Sequence, residues 1–171
     1  LGLPSWCYAG CSDAKSFDQQ AASEAVMMSF LAGLSGGNLN HDVGYLEAGL
    51  TSSLEAVVAA NETIGAIKRI LGGIELSKET LALDVIHNVG PGGEFLSTEH
   101  TFRHFKEDWR PQLFDRGGYE DWVESGSKDL GQRANRRVRA ILEEHRPAQL
   151  LETVQDEFTR VLSRAEYRIG D

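Results

Sequence analysis

The feature that most constrains this chain is an order of elements that stops short. Residues 3 to 73 read as strand, loop and helix twice over, each helix closed by a glycine pair, and from Ser77 onward every readable segment is helical. "LPSWCYAG" is short, aromatic and ended by Gly10, the make-up of a buried strand, and it leads into the polar loop "CSDAKSFD". In "DQQAASEAVMMSFLAGLSGG", Ala22, Ala25, Val26, Ser29, Phe30 and Gly33 form a helical stripe with Asp18 as N-cap and Gly36-Gly37 as stop. A short strand fits Asn38 to His41. A second helix, capped by Ser52 or Ser53 and ended by Gly72-Gly73, is expected to bury Leu54, Val57, Val58, Ile64, Ile67 and Leu71. Alternation of this kind predicts a parallel α/β fold with its chemistry on loops at strand C-termini. Two strands cannot close a barrel, and the chain begins at Leu1 rather than Met, so it reads as part of a larger domain.

The remainder is an all-helical extension. "SKETLALDVIHNVG" predicts one helix from the Ser77 cap to Gly90, followed by helices in "STEHTFRHFKEDW" and "YEDWVESG" and two longer ones separated at Pro147. The expected division is 1–73 for the α/β portion and 74–171 for the helical extension.

Composition narrows the partners. Seventeen basic against twenty-six acidic side chains give a net charge of −9, which repels phosphate backbones, so nucleic acid is not an expected partner. The basic run "RANRRVRA" is followed by Glu143 and Glu144 at helical spacing and reads as a solvated helix face. No apolar run approaches the roughly 20 residues that span a bilayer, and Cys7 and Cys11 complete neither a zinc set nor a disulfide framework. A cytoplasmic setting is expected, with no membrane partner.

Five histidines offer a test of metal chemistry. His100 and His104 stand one helical turn apart, a spacing at which two imidazoles can share zinc, but HExxH is absent and the stretch supplies no third ligand. The expectation is that this chain binds no metal, that a zinc-dependent hydrolase is the last of the readings, and that Phe102 and Phe105 pack on the far side of that helix. His87 reads as a partly buried helix residue, and the "GPGG" beside it as a tight turn, since GxxxxGK and GxGxxG are both missing. The two polar loops differ. "AGCSDAK" sets Ser12, Asp13 and Lys15 after the first strand, within reach of Tyr8. "NLNHDVGYLE" sets Asn38, Asn40, His41, Asp42, Tyr45 and Glu47 around the second. Two neighbouring loops can converge on one pocket, while Asp13 and Asp42 are equally well read as caps.

Four long collinear stretches carry a family resemblance: "GCSDAKSFDQQAASEA", "AGLSGGNLNHDVGYLEAGLTSSLE", "ILGGIELSKETLALDVIHNVGPGGEFLSTEHTFRHF" and "WRPQLFDR". The chain resembles the C-terminal third of the trimethylamine methyltransferase (MttB-like) family. The resemblance implies the last two strands and helices of a (β/α)8 barrel followed by a helical extension. It implies transfer of a methyl group from a methylated amine to the Co(I) corrinoid of a partner protein, with orientation and electrostatics as the enzyme's tasks. Archaeal members carry pyrrolysine. This sequence has only the standard residues, which points to the branch containing glycine betaine methyltransferases. A cationic donor suits aromatic faces, so Trp6, Tyr8 and Tyr45 are candidates by cation–π contact. Lys15, Asn38, Asn40 and His41 are candidates for a betaine carboxylate, and Asp13 completes the candidate substrate-binding set; no catalytic residue is assigned. Apolar faces on the first two long helices predict self-association as a homo-oligomer. The rival reading is a helical interaction module without catalysis.

Overall fold

The computed structural model describes residues 2–169 and is mixed α/β, mostly helical. Strand β1 (Trp6–Tyr8), helix α1 (Gln19–Leu34) and strand β2 (Leu39–His41) form a β-α-β unit whose strands pair in parallel, Trp6 opposite Leu39, Cys7 opposite Asn40 and Tyr8 opposite His41. The crossover exists because α1 is capped where the sequence indicates: Asp18 accepts from Ala21 N at 3.0 Å. Helix α2 (Leu54–Leu71) starts in the same way, with Ser53 Oγ accepting from Ala56 N at 3.2 Å. Between β2 and α2 lies a ladder that the sequence pattern did not reveal. Strands β3 (Tyr45–Leu46) and β4 (Thr51–Ser52) pair antiparallel around a 3₁₀ turn at Glu47–Gly49.

The buried sides of both long helices share Ser29 and Ile67 with the predicted stripes and otherwise differ from them. Helix α1 buries Ala21, Ser29 and Ala32, and α2 buries Ala56, Ala59, Ala60, Glu62, Thr63 and Ile67. Larger apolar groups keep much of their surface exposed: Val26, Met27, Leu31 and Leu54, and also Val57 and Leu71, which each touch a glycine on one side. The helices meet through small residues, and a methyl group at Gly33 would lie 3.0 Å from both Ile67 Cγ2 and Leu71 Cδ1. One small core joins Ala14, Ala21 and Leu46, a second joins Ala59, Leu113 and Ala134, and Phe17 packs on both. Buried Glu62 fixes the second by accepting from Leu113 N at 2.7 Å and Phe114 N at 3.1 Å.

The helical part begins with a correction. The predicted helix from Ser77 to Gly90 is two, α3 (Lys78–Leu81) and α4 (Leu83–Val89), because Ala82 takes a left-handed conformation at φ 46°. A capping box between Ser77 and Thr80 starts α3, and left-handed Ala82 ends it after one turn. Helices α5 (Glu99–His104) and α6 (Tyr119–Glu124) are short, and α7 (Leu130–Glu144) buries Ala134 and Val138. His87, Phe102 and Phe105 are exposed rather than packed. In the basic run Arg136, Arg137 and Arg139 face solvent, whereas Arg133 is half-buried and donates to Leu113 O at 2.9 Å.

The chain divides into two compact units, Leu1–Arg139 and Ala140–Asp171. The second contains α8 (Glu152–Ile169), on which Val154, Phe158, Val161 and Leu162 form an exposed apolar stripe. Among the described residues no helix is long and apolar enough to cross a membrane.

Gly44, between β2 and β3, packs on the start of α2 and has a positive φ of 85°. A Cβ there would stand 2.3 Å from Val57 Cγ2 and 3.1 Å from Val57 N. Gly44→Ala is expected to destabilise the protein by about 2–4 kcal/mol, from left-handed strain plus overpacking. Urea denaturation with an unchanged midpoint would contradict this packing.

Candidate functional site: a cavity between two loops

The parallel pairing of β1 and β2 continues as main-chain bonds into the loops that follow them. Ala9 N donates to His41 O at 3.0 Å, Gly44 N to Gly10 O at 2.9 Å, Ser12 N to Tyr45 O at 3.0 Å and Glu47 N to Ala14 O at 3.0 Å. The loops are therefore laced together, and they enclose an open cavity of about 390 Å³. Tyr8, Cys11, Ser12, Asp13, Asp42 and Tyr45 line it together with Glu24 and Met28 of α1 and the Ala48-Gly49 turn.

Glu24 organises one wall. Its Oε2 accepts from Ser12 Oγ at 2.5 Å and from Asp13 N at 3.0 Å, while Oε1 accepts from Gln20 Nε2 at 2.9 Å. Ser12 Oγ in turn accepts from Ala14 N at 2.9 Å. Ser12, Gln20 and Asp13, in that order, hold the Glu24 carboxyl below the usual carboxylate range, so it is anionic at neutral pH. Burial raises the Cys11 thiol, and the negative charges of Asp42, Asp13 and Glu24 raise it further. The cavity is thus a region of negative potential with two phenol rings at its edge.

The candidates from the sequence separate into two groups. Tyr8, Asp13 and Tyr45 line the cavity. His41 stands behind it: its ring packs on Tyr8 at 4.7 Å and on Trp6 at 5.1 Å, and its Nδ1 lies 2.7 Å from Asp42 Oδ1. Lys15, Asn38 and Asn40 are outside the lining. Lys15 Nζ donates to Asp13 O at 2.8 Å, Asn38 Oδ1 accepts from Ser5 N at 2.9 Å, and Asn40 sits opposite Cys7 in the ladder. Glu24, Cys11 and Met28 were missed by sequence reasoning. The signal for Glu24 was its place on α1 one turn after Gln20, which exposes a fixed carboxylate to the preceding loop.

The whole chain then compares closely with known proteins. The family model described as trimethylamine methyltransferase (MTTB) matches residues 1–170. The chain belongs to the trimethylamine methyltransferase family. It is 38% identical over 168 residues to trimethylamine methyltransferase MttB of Desulfitobacterium hafniense (strain DSM 10664 / DCB-2), covering 98% of this chain and 34% of that protein. It is 42% identical over 144 residues to trimethylamine methyltransferase MttB2 of Methanosarcina mazei, covering 84% of this chain and 29% of that one. A glycine betaine methyltransferase of Desulfitobacterium hafniense (strain Y51) is 31% identical over 172 residues, 99% of this chain and 36% of the relative. The chain spans about a third of the length of the curated relatives it matches. In this segment the cavity brings acidic and aromatic side chains together.

The negative field has a direct readout at Cys11. In a Cys7→Ser background, the alkylation midpoint of Cys11 is expected above the ordinary thiol value of about 8.5. Asp42→Asn should lower that midpoint and speed alkylation at roughly pH 8, because removing an adjacent anion favours the thiolate. A midpoint at or below the ordinary value would contradict the electrostatics described.

Proposed function

We propose that this chain forms part of a methyltransferase that moves a methyl group from a tertiary or quaternary methylamine to the Co(I) corrinoid of a partner protein. The observation that carries the reading is the cavity lining, where Glu24, Asp13 and Asp42 stand with the rings of Tyr8 and Tyr45. That combination suits a compact alkylammonium, which gains from carboxylate charge and aromatic faces and needs few hydrogen-bond donors. Glycine betaine and protonated trimethylamine both present such a cation. Lys15, Asn38, Asn40 and His41 lie outside the lining, two of them bound to main-chain groups. We assign to this segment the cationic half of the donor site, with those four as more distant candidates for a betaine carboxylate.

The corrinoid supplies a strongly nucleophilic metal centre when its carrier docks. The residues of this chain have a holding task. They position the N-methyl group, exclude competing water and stabilise the ammonium until the C–N bond breaks and its electron pair leaves with nitrogen. An ammonium nitrogen leaves without prior protonation in a quaternary donor, so no general acid is required of the cavity. Cys11, a thiol in the lining whose deprotonation is disfavoured, is poorly suited to accept the methyl group itself. This supports an external acceptor.

The strands among the described residues all precede Leu54, which supports assigning 1–73 to the end of a (β/α)8 barrel and 74–171 to its helical extension. The exposed apolar side chains of α1 and α2 would then be covered by the rest of the barrel, or by a second copy when the segment stands alone. The free thiols of Cys7 and Cys11 fit a reducing cytoplasm.

The test is methylation of cob(I)alamin followed by absorbance, with glycine betaine, trimethylamine and other methylated amines as donors. Turnover is expected from the intact protein carrying this segment and not from the 171 residues alone. Tyr8→Ala and Tyr45→Ala should each lower kcat/KM about tenfold, the equivalent of one cation–π contact of roughly 1–2 kcal/mol. Inactivity of the intact protein across the donors would overturn the reading in favour of a non-catalytic interaction module.

A further inference from the structure

A second group of chemistry-bearing side chains lies away from the cavity and takes no part in the proposed methyl transfer. We propose that Glu79, His100 and His104 form a binding site for a divalent transition metal of the zinc class, which ties α3 to α5. The two histidines lie on one face of α5, with ring centroids 4.4 Å apart. The sequence offered them no third ligand. The fold brings one from α3: Glu79 Oε1 stands 3.0 Å from His104 Nε2, and one ligand atom from each of the three residues lies within 4.8 Å of the others.

This spacing suits a small ion. Zinc–nitrogen and zinc–oxygen bonds near 2.0–2.2 Å in a tetrahedron set neighbouring ligand atoms roughly 3.3–3.5 Å apart. Opening the Glu79–His104 contact by a few tenths of an ångström, with a rotation of His100, would admit the ion. Two imidazoles and a carboxylate with one open position is a set that zinc accepts, water taking the fourth place.

The surroundings are already those of a metal-ligating histidine. Glu107 Oε2 lies 2.7 Å from His104 Nδ1, the carboxylate contact that holds a proton on Nδ1 and leaves Nε2 for a metal. His100 Nε2 donates to the Glu79 main-chain oxygen at 2.9 Å, which fixes its tautomer and leaves the lone pair on the other ring nitrogen. Glu79 sits on a turn held from both sides, Ser77 N donating to Thr80 Oγ1 at 2.8 Å and Thr80 N to Ser77 Oγ at 3.1 Å. An open concavity of about 510 Å³ lined by Lys78, Glu79, Asp84 and His100 gives the ion access. Once bound, the ion would close the segment 82–98, including the Pro91-Gly92-Gly93 turn, into a loop. The competing state is a metal-free imidazolium held between the Glu79 and Glu107 carboxylates.

The experiment uses the intact protein, stripped of metal and titrated with Zn²⁺ and, separately, with Co²⁺ as a visible-absorption probe. One ion per chain and the intense absorption of four-coordinate Co²⁺ are expected. His100→Ala and His104→Ala should abolish stoichiometric binding. Glu107→Gln, which keeps all three ligands, should retain the stoichiometry and weaken affinity about 10–100-fold. His87→Ala, at an exposed histidine outside the cluster, should change nothing. Circular dichroism of each variant separates lost binding from lost folding. Absence of a stoichiometric ion, or equal losses in the His87 and His104 variants, would overturn the proposal and leave only the proton-bound pair. The readout is independent of methyl transfer, so its failure and that of the methyltransferase reading are distinguishable.

Discussion

One carboxylate oxygen holds the candidate site in shape. Glu24 Oε2 receives both the Ser12 hydroxyl and the Asp13 amide, which fastens the loop after β1 to the side of α1. Through Ser12 the same point reaches the second loop, because the Ser12 amide donates to the Tyr45 carbonyl. Charge-assisted hydrogen bonds of this kind are stronger than neutral ones, and here they converge on a half-buried group. The helix, the first loop and the second loop are thereby joined at one node, and Tyr8, Asp13 and Tyr45 line the space beside it. Beside this node, Ala14 of the first loop, Ala21 of α1 and Leu46 of β3 share a small buried core, which brings the two loops close to α1.

The electrostatic consequence follows from the same arrangement. Glu24 remains ionised because its ionised form is the one the loop donates to. Asp13 and Asp42 add negative charge along the rim, and the Cys11 thiol beside them holds its proton more firmly. A pocket of this sign, edged by phenols, disfavours anions and favours a small organic cation. The family to which the chain belongs includes relatives named for trimethylamine and for glycine betaine, both methylated amines. Pocket chemistry and relatedness thus support the same class of ligand by separate routes.

Much of this was legible in the sequence, because caps and glycine stops are local signals. Asp18 and Ser53 start the helices assigned to them, β2 lies where a short strand fitted, and the two polar loops do converge. The losses have physical causes. A stripe of large apolar residues marks the face a helix would bury in a complete core, and in this chain small residues make the contact while Val57 and Leu71 stay exposed. Strands of two residues, such as Tyr45–Leu46, are too short to show alternation. The break at Ala82 carries no glycine or proline to announce it. Glu24 and Glu79 were missed because the partners that give them meaning are supplied by the fold, 12 residues away for Ser12 and 25 for His104.

The central claim is that the space between the two loops holds the methylated ammonium, and a crystal structure of the intact protein soaked with glycine betaine or trimethylamine tests it most directly. The account predicts the trimethylammonium group in the cavity, against the faces of Tyr8 and Tyr45 and beside the carboxylates of Asp13, Asp42 and Glu24. An ordered donor bound elsewhere, with this cavity holding only water, would contradict it.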